Sequence, residues 1–243
     1  MANKKSSFIC IGLAFILLSY APGTHAGFDY AVYSKLSLKN FRKYQPFLNE
    51  INIDSIDCAL ANAAVFFVTN EVRAKKKFSK LYFAKPLEVA AWNHSKSMFE
   101  EGFFSHYNEK DSTHHSPNER GALAGIANPY LAENIAESFA IDYKANTSVY
   151  VLKGRQGQFS YEENGEPIEP HTYLSLAEAL VDGWMQSPPH KKNLLSKDNI
   201  ALGCGLYFFR DTKFYSMPKV LATQNFQQFE PIKEKVAKDR VDW

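Results

Sequence analysis

The stretch Val181–Leu195, VDGWMQSPPHKKNLL, places a helix end, a double-proline break and a histidine within one short segment. Upstream of it, Tyr173, Leu176, Ala177, Leu180, Val181 and Trp184 recur at spacings of three and four, which predicts one buried face of an amphipathic helix. Ser175 followed by Glu178 reads as a capping box at its start. The helix must stop at Ser187, because Pro188 disfavours helical angles at the residue before it and neither proline donates a backbone hydrogen bond. A second helix can begin at the same point, with Ser187 as N-cap and the prolines in the first turn, where absent N–H groups cost nothing. His190 then sits near the positive end of that helix, where the dipole favours a neutral ring. Local pattern alone leaves two readings of His190, a polar loop residue or a member of a site.

Outward from this stretch, the helical periodicity of Leu60, Ala63, Ala64, Phe67, Val68 and Val72 predicts a first core helix over about 56–76, with Asp54 or Ser55 as N-cap. Lys85-Pro86 opens another helix, whose stripe of Leu87, Ala91, His94 and Met98 makes His94 a core residue rather than a ligand. Gly102 ends that helix. His106 follows two aromatics directly after the terminus, in a position to be held at the lip of a cavity. Glu133 and Asn134 lie between apolar neighbours in LAENIA, where a carboxylate is costly unless paired. Glu133 must therefore meet a histidine, a metal or backbone amides. His114-His115 lie in a polar loop and read as solvated. Residues 200–209 and 220–226 read as an antiparallel strand pair, and about 141–173 as an inserted hairpin with a tail.

The 243 residues suit one domain. Lys4 and Lys5, the apolar run Phe8–Leu18 and Thr24-His25-Ala26 have the form of a secretory signal peptide over 1–26, cleaved near Ala26. Its removal leaves 26 basic against 26 acidic residues, a balance without the clustered basic face of a nucleic-acid binder. No later segment is apolar for long enough to span a bilayer. The mature protein is thus expected outside the cytoplasm, extracellular or periplasmic. Cys58 and Cys204 are the two cysteines beyond the leader, and an oxidising compartment favours their pairing. Such a bridge would contribute about 4–5 kcal/mol in the chain-entropy model, with a pair of buried free thiols as the alternative. Residues 27–55 read as a lead-in packed on the domain surface and 227–243 as a charged tail, helical or frayed.

Asn70 with Arg73, HSKSMFEEGFFSH, AENIAES, VDGWMQSPPHKKNLL, LGCGLY and TQNF stand in an order that resembles the CAP superfamily. This is the SCP group of cysteine-rich secretory, antigen 5 and pathogenesis-related 1 proteins, and the resemblance is to its bacterial secreted branch, over about 56–226. It implies an α+β fold, a three-layer α-β-α sandwich with a small antiparallel sheet between helices and a cavity lined by histidines and acidic residues. Carried onto this chain, the cavity residues are His106, Glu133 and His190, with Asn134 and Ser187 beside them. His190 precedes Gly203 by thirteen positions, as in the family's eukaryotic members. The family's second glutamate falls on Ser187, so one carboxylate is absent.

His106, Glu133 and His190 together would suit Zn²⁺, the one cofactor expected of such a set. The chain has no nucleophile-elbow pattern and no evident acid to orient a Ser/His pair. The first expectation is therefore a non-catalytic secreted module for a lipid, a small ligand or a protein or surface partner. The second is a zinc-dependent hydrolase using the same three residues. The insertion favours the first, since loops added to a fixed scaffold more often alter recognition than chemistry.

Overall fold

The computed structural model describes residues 30–144, 146–154 and 157–235. The expected leader and its cleavage site, like the end of the tail, lie outside the described residues. In chain order the helices are α1 (Ala31–Lys35), α2 (Gln45–Leu48), α3 (Cys58–Lys75), α4 (Lys85–Glu100), α5 (Pro117–Leu123), α6 (Tyr173–Gln186) and α7 (Pro188–Leu194). The strands are β1 (Tyr82–Phe83), β2 (Leu131–Phe139), β3 (Tyr150–Val151), β4 (Phe159–Ser160), β5 (Asn199–Asp211) and β6 (Met217–Gln228).

The main sheet runs β1-β5-β6-β2, antiparallel except for the short β1, which pairs parallel with β5. One face packs against α4; α3 and α6 cover the other. This is the expected α-β-α sandwich. The period of two along β5 and β6 sorts side chains between the layers. Asn62 of α3 accepts from Leu206 N–H, and Gln224 donates to Thr69 of α3, whereas Ser95 of α4 bonds both Gly205 O and Thr223. Gly203 and Gly205 are glycines because α4 lies directly on them: an added Cβ would stand 2.1 Å from Glu88 N and 2.0 Å from Trp92 N. The outer edge of β2 is covered by side chains, with Trp184 Nε1 donating to Ile135 O at 3.1 Å and Asn193 Nδ2 to Glu133 O at 3.0 Å. An otherwise open edge is thereby closed to further strands.

Several boundaries differ from the sequence expectation. Helix α3 is capped by Asp57, which accepts from Leu60 N–H at 2.9 Å, rather than by Asp54 or Ser55. Helix α6 starts three residues earlier than Ser175 as its cap suggests, since the capping box joins Thr172 to Ser175. Glu178 instead pairs with Arg42 on the surface. The segment after residue 27 is more than a surface lead-in, because Phe41 and Phe47 are fully buried in the main core with Phe67 and Leu180. Residues 229–235 are not helical; they return along the loop after α5, where Lys235 N–H donates to Gly125 O. Strands β3 and β4 form a two-stranded hairpin over a satellite cluster of Ile141, Phe159, Ile168 and Met217.

The expected Cys58–Cys204 bridge is absent: both cysteines are free thiols. Cys58 is the first residue of α3. Cys204 Sγ lies 3.9 Å from Gln224 Nε2, which also bonds Thr69, about 16 Å farther along a helix rising 1.5 Å per residue. A disulfide needs Cα atoms within about 7 Å, so the two sulfurs do not meet. Burial pushes both thiols above their usual pKa, Cys58 to about 11.

Candidate functional site

Glu133 sits on β2 opposite Asn225 of β6, on the face turned toward α4. Its carboxylate is buried, and each oxygen is occupied. Arg120, at the middle of α5, reaches Oε2 with NH2 at 2.8 Å. Oriented with its nitrogen toward the carboxylate, Asn225 donates to the same oxygen at 3.0 Å and accepts from Ala91 N–H at 3.2 Å. His106 Nδ1 stands 2.9 Å from Oε1, and His94 Nε2 stands 3.7 Å from it. Burial opposes ionisation here, but the Arg120 charge and the hydrogen bond from His106 outweigh it and hold Glu133 below the ordinary carboxylate pKa.

Arg120 is held in turn. The capping box of Ser116 and Glu119 starts α5, and the guanidinium also donates to the carbonyls of His106, His114 and His115. One buried cation thus fixes both the carboxylate and the loop that carries His106. An ionised carboxylate only accepts, so His106 presents N–H at Nδ1 and, in its neutral form, a lone pair at Nε2. The His106 side chain is 40% exposed, and its neighbours Phe104 and Tyr107 are about half exposed. The loop therefore carries a partly exposed imidazole and two half-exposed aromatic side chains, with the Tyr107 ring 5.2 Å from that of His115.

His94 is a member of this cluster, beyond the core role assigned to it from its apolar stripe. It is 1% exposed, and its Nε2 is 2.9 Å from Ser105 O, which places the hydrogen on Nε2. Burial lowers its pKa to about 4, so the ring is neutral at pH 7. Its Nδ1 has no partner among the described residues. Neither Arg120 nor Asn225 was legible as a site residue. The signal available was the cost of Glu133 itself, which required a histidine, a metal or backbone amides and did not point to an arginine.

His190 lies near the start of α7, as the double proline implies, with Ser187 as N-cap but without a side-chain capping bond. Its backbone carbonyl accepts from Asn134 Nδ2 at 3.2 Å, and Asn193 Nδ2 donates to Asn134 Oδ1 at 3.0 Å. Asn134 thus braces α7 against β2 rather than opening toward solvent. Partial burial, and then the nearby charge of His106, lower the pKa of His190. The two histidines are electrostatic neighbours, and only His106 touches Glu133. A cleft of about 820 Å³ beside α7 is lined by Met185, Pro188, Lys191, Lys192 and Asn193, and by none of His106, Glu133 or His190. Ser187 is outside both this lining and the carboxylate cluster.

Among the described residues, no group of three or more His, Cys, Asp or Glu side chains is arranged to hold a metal ion. The donors explain this. Glu133 spends both oxygens on Arg120, Asn225 and His106, and the adjacent guanidinium opposes a cation there. The expected set of His106, Glu133 and His190 does not form a zinc centre in this arrangement.

The fold and site define a three-layer α-β-α domain with a buried carboxylate, arginine and histidine cluster on its sheet. The model of the cysteine-rich secretory protein family, CAP, matches residues 66–226, and the chain belongs to that family. It is 27% identical over 159 residues to an uncharacterized membrane protein, YlbC, of Bacillus subtilis, covering 65% of this chain. The chain spans 32% of that curated relative's length. An extracellular protein with an SCP domain from Bacillus anthracis is similar over 69% of this chain and 40% of its own, at 21% identity and a TM-score of 0.44. An outer surface protein of Borrelia burgdorferi is similar over 71% of this chain and 97% of its own, at 15% identity and a TM-score of 0.44. No helix among the described residues is long and apolar enough to cross a membrane.

Proposed function

We propose that this chain is an extracellular CAP-domain binding module whose recognition surface is the exposed loop of Phe104, His106 and Tyr107 together with His190, and that it is not a hydrolase. The observation carrying this reading is the saturation of Glu133. A general base works best with a pKa near the working pH. Glu133 is displaced the other way, and its lone pairs are taken by Arg120, Asn225 and His106. It acts as the counter-ion that fixes the loop, leaving His106 Nε2 and the two aromatic rings to meet a ligand. Such a surface suits a lipid or small molecule with an apolar body and one polar group. The extracellular placement rests on the signal-peptide pattern of residues 1–26 and on the secretory family.

The test is mass spectrometry of organic extracts from natively purified protein, followed by calorimetric titration of any retained molecule. The expected result is a ligand whose affinity falls at least tenfold in His106→Ala and His190→Ala, with no turnover of ester or peptide substrates. Turnover that a chelator abolishes would replace this reading with the zinc hydrolase. If no extractable molecule is found, a protein or surface partner becomes the version of the module to pursue.

A further inference from the structure

Away from the histidines, two hollows of different character meet. The first, about 420 Å³, lies between the segment after α1 and the core, and its walls are Leu36, Phe66, Phe67, Leu81 and Phe83. Tyr33 closes one side, stacked on Phe83 with ring centroids 3.6 Å apart. The second, about 610 Å³, lies at the C-terminal end of α3, where Lys39, Lys77 and Lys80 surround Phe78 and Ala74. Ser37, Leu38 and Lys80 line both hollows, so the aromatic groove and the lysine-rich cleft adjoin.

The charge at this mouth is one-sided. No acidic residue lines either hollow, and none of Lys39, Lys77 and Lys80 forms an ion pair among the described residues. Lys75, one turn back, is already matched by Glu71. Behind the cleft, Arg73 is fully buried with no carboxylate against it. It bonds the main-chain carbonyls of Ser79, Leu194 and Ser196, and its guanidinium lies 5.7 Å from the Phe78 ring centroid. Carbonyls accept from its Nε and NH1 without cancelling its charge, and NH2 has no partner among the described residues, so a fourth cation supports the three at the surface. The chain's near-balanced total charge is therefore locally uneven at this place.

We infer that these adjoining hollows together bind a single-chain anionic amphiphile, its apolar chain between Leu36, Phe66, Phe67 and Phe83 and its anionic head on Lys39, Lys77 and Lys80. Lysine ammonium groups act as point charges and accept a phosphate or a carboxylate without demanding one planar geometry. The volumes fall within the ordinary range of small-molecule sites. The occupant is a free amphiphile rather than a bilayer, because the apolar part is a groove walled by aromatic rings and not a protruding face. This inference stands on its own residues and does not depend on the histidine surface.

The test is calorimetric titration of the full chain with dodecyl phosphate below its micellar concentration, beside inorganic phosphate, dodecyl maltoside and phosphatidylglycerol vesicles. The expected result is saturable binding of dodecyl phosphate at one site, at least tenfold tighter than either soluble control. The triple variant Lys39→Glu, Lys77→Glu, Lys80→Glu should lose at least tenfold in affinity with an unchanged circular dichroism spectrum and Tm, as expected of three exposed residues. Leu36→Gln should weaken binding of the amphiphile and not its salt dependence. Equal binding of dodecyl maltoside would overturn the inference, as would full affinity in the triple variant. So would capture by vesicles without binding of the monomeric amphiphile, which would assign the lysines to a membrane surface.

Discussion

Glu133 and Arg120 form a buried ion pair in which each group offsets part of the other's desolvation cost. Breaking such a pair from one side leaves an uncompensated charge, so Arg120→Ala should cost about 3–5 kcal/mol in chemical denaturation. It should also release the His106 loop, read as faster amide exchange at residues 105–108. A stability loss under about 1 kcal/mol would show that the pair does not organise the site. A second buried carboxyl gives the opposite pH behaviour. Glu88 faces Tyr33 and Asn62, with Lys85 on its own helix, and burial raises it from 4.5 to about 8. A group raised in the folded state holds its proton more tightly there, so its contribution is complete below pH 4.5 and is lost as pH rises through about 8. Wild type should therefore lose stability across that window, and Glu88→Gln should flatten the slope in thermal scans; an unchanged slope would contradict the assignment. Of these residues, Glu133 was legible because a carboxylate between apolar neighbours demands a partner. Arg120 was not, since α5, seven residues within a polar segment, is too short to show a periodicity pointing inward.

At the scale of elements, helix starts separate into those held by side chains and those held by proline. Thr172 accepts from Ser175 N–H at the start of α6, whereas Ser187 at the start of α7 makes no side-chain cap. Thr172→Ala should cost about 1 kcal/mol, and Ser187→Ala only a few tenths, by chemical denaturation. The reverse order would mean that α7 is not set by Pro188 and Pro189. The double proline made this junction readable from sequence, because two missing donors leave the chain few alternatives. The start of α6 was misplaced by three residues, since Ser175 belongs to the box as its third helical residue rather than its cap. The segment 27–55 was underread for a different reason. Its short helices give no periodic stretch, yet Phe41 and Phe47 enter the core individually, which only the three-dimensional packing reveals.

For the whole molecule, the order of motifs carried the family resemblance that implied the sandwich, the β5 and β6 segments read only as an antiparallel pair, and glycines at 203 and 205 are explained by the closeness of α4. The cysteines were misjudged because counting them says nothing of how far Cys58, at the start of α3, lies from Cys204 on β5. Both Cys58 and Cys204 should be alkylated in denaturant without reductant, and the Tm should not change on adding reductant; resistance to alkylation until reduction would restore the bridge. The account of the molecule as a binding module rests on Glu133 remaining an ionised counter-ion under the conditions in which the protein works. The direct measurement is ¹³C NMR titration of the Glu133 side-chain carboxyl in the native protein. The account predicts a carboxylate ionised throughout the neutral range, with a midpoint below 4.5. A midpoint between about 6 and 8, where a catalytic base would titrate, would contradict it.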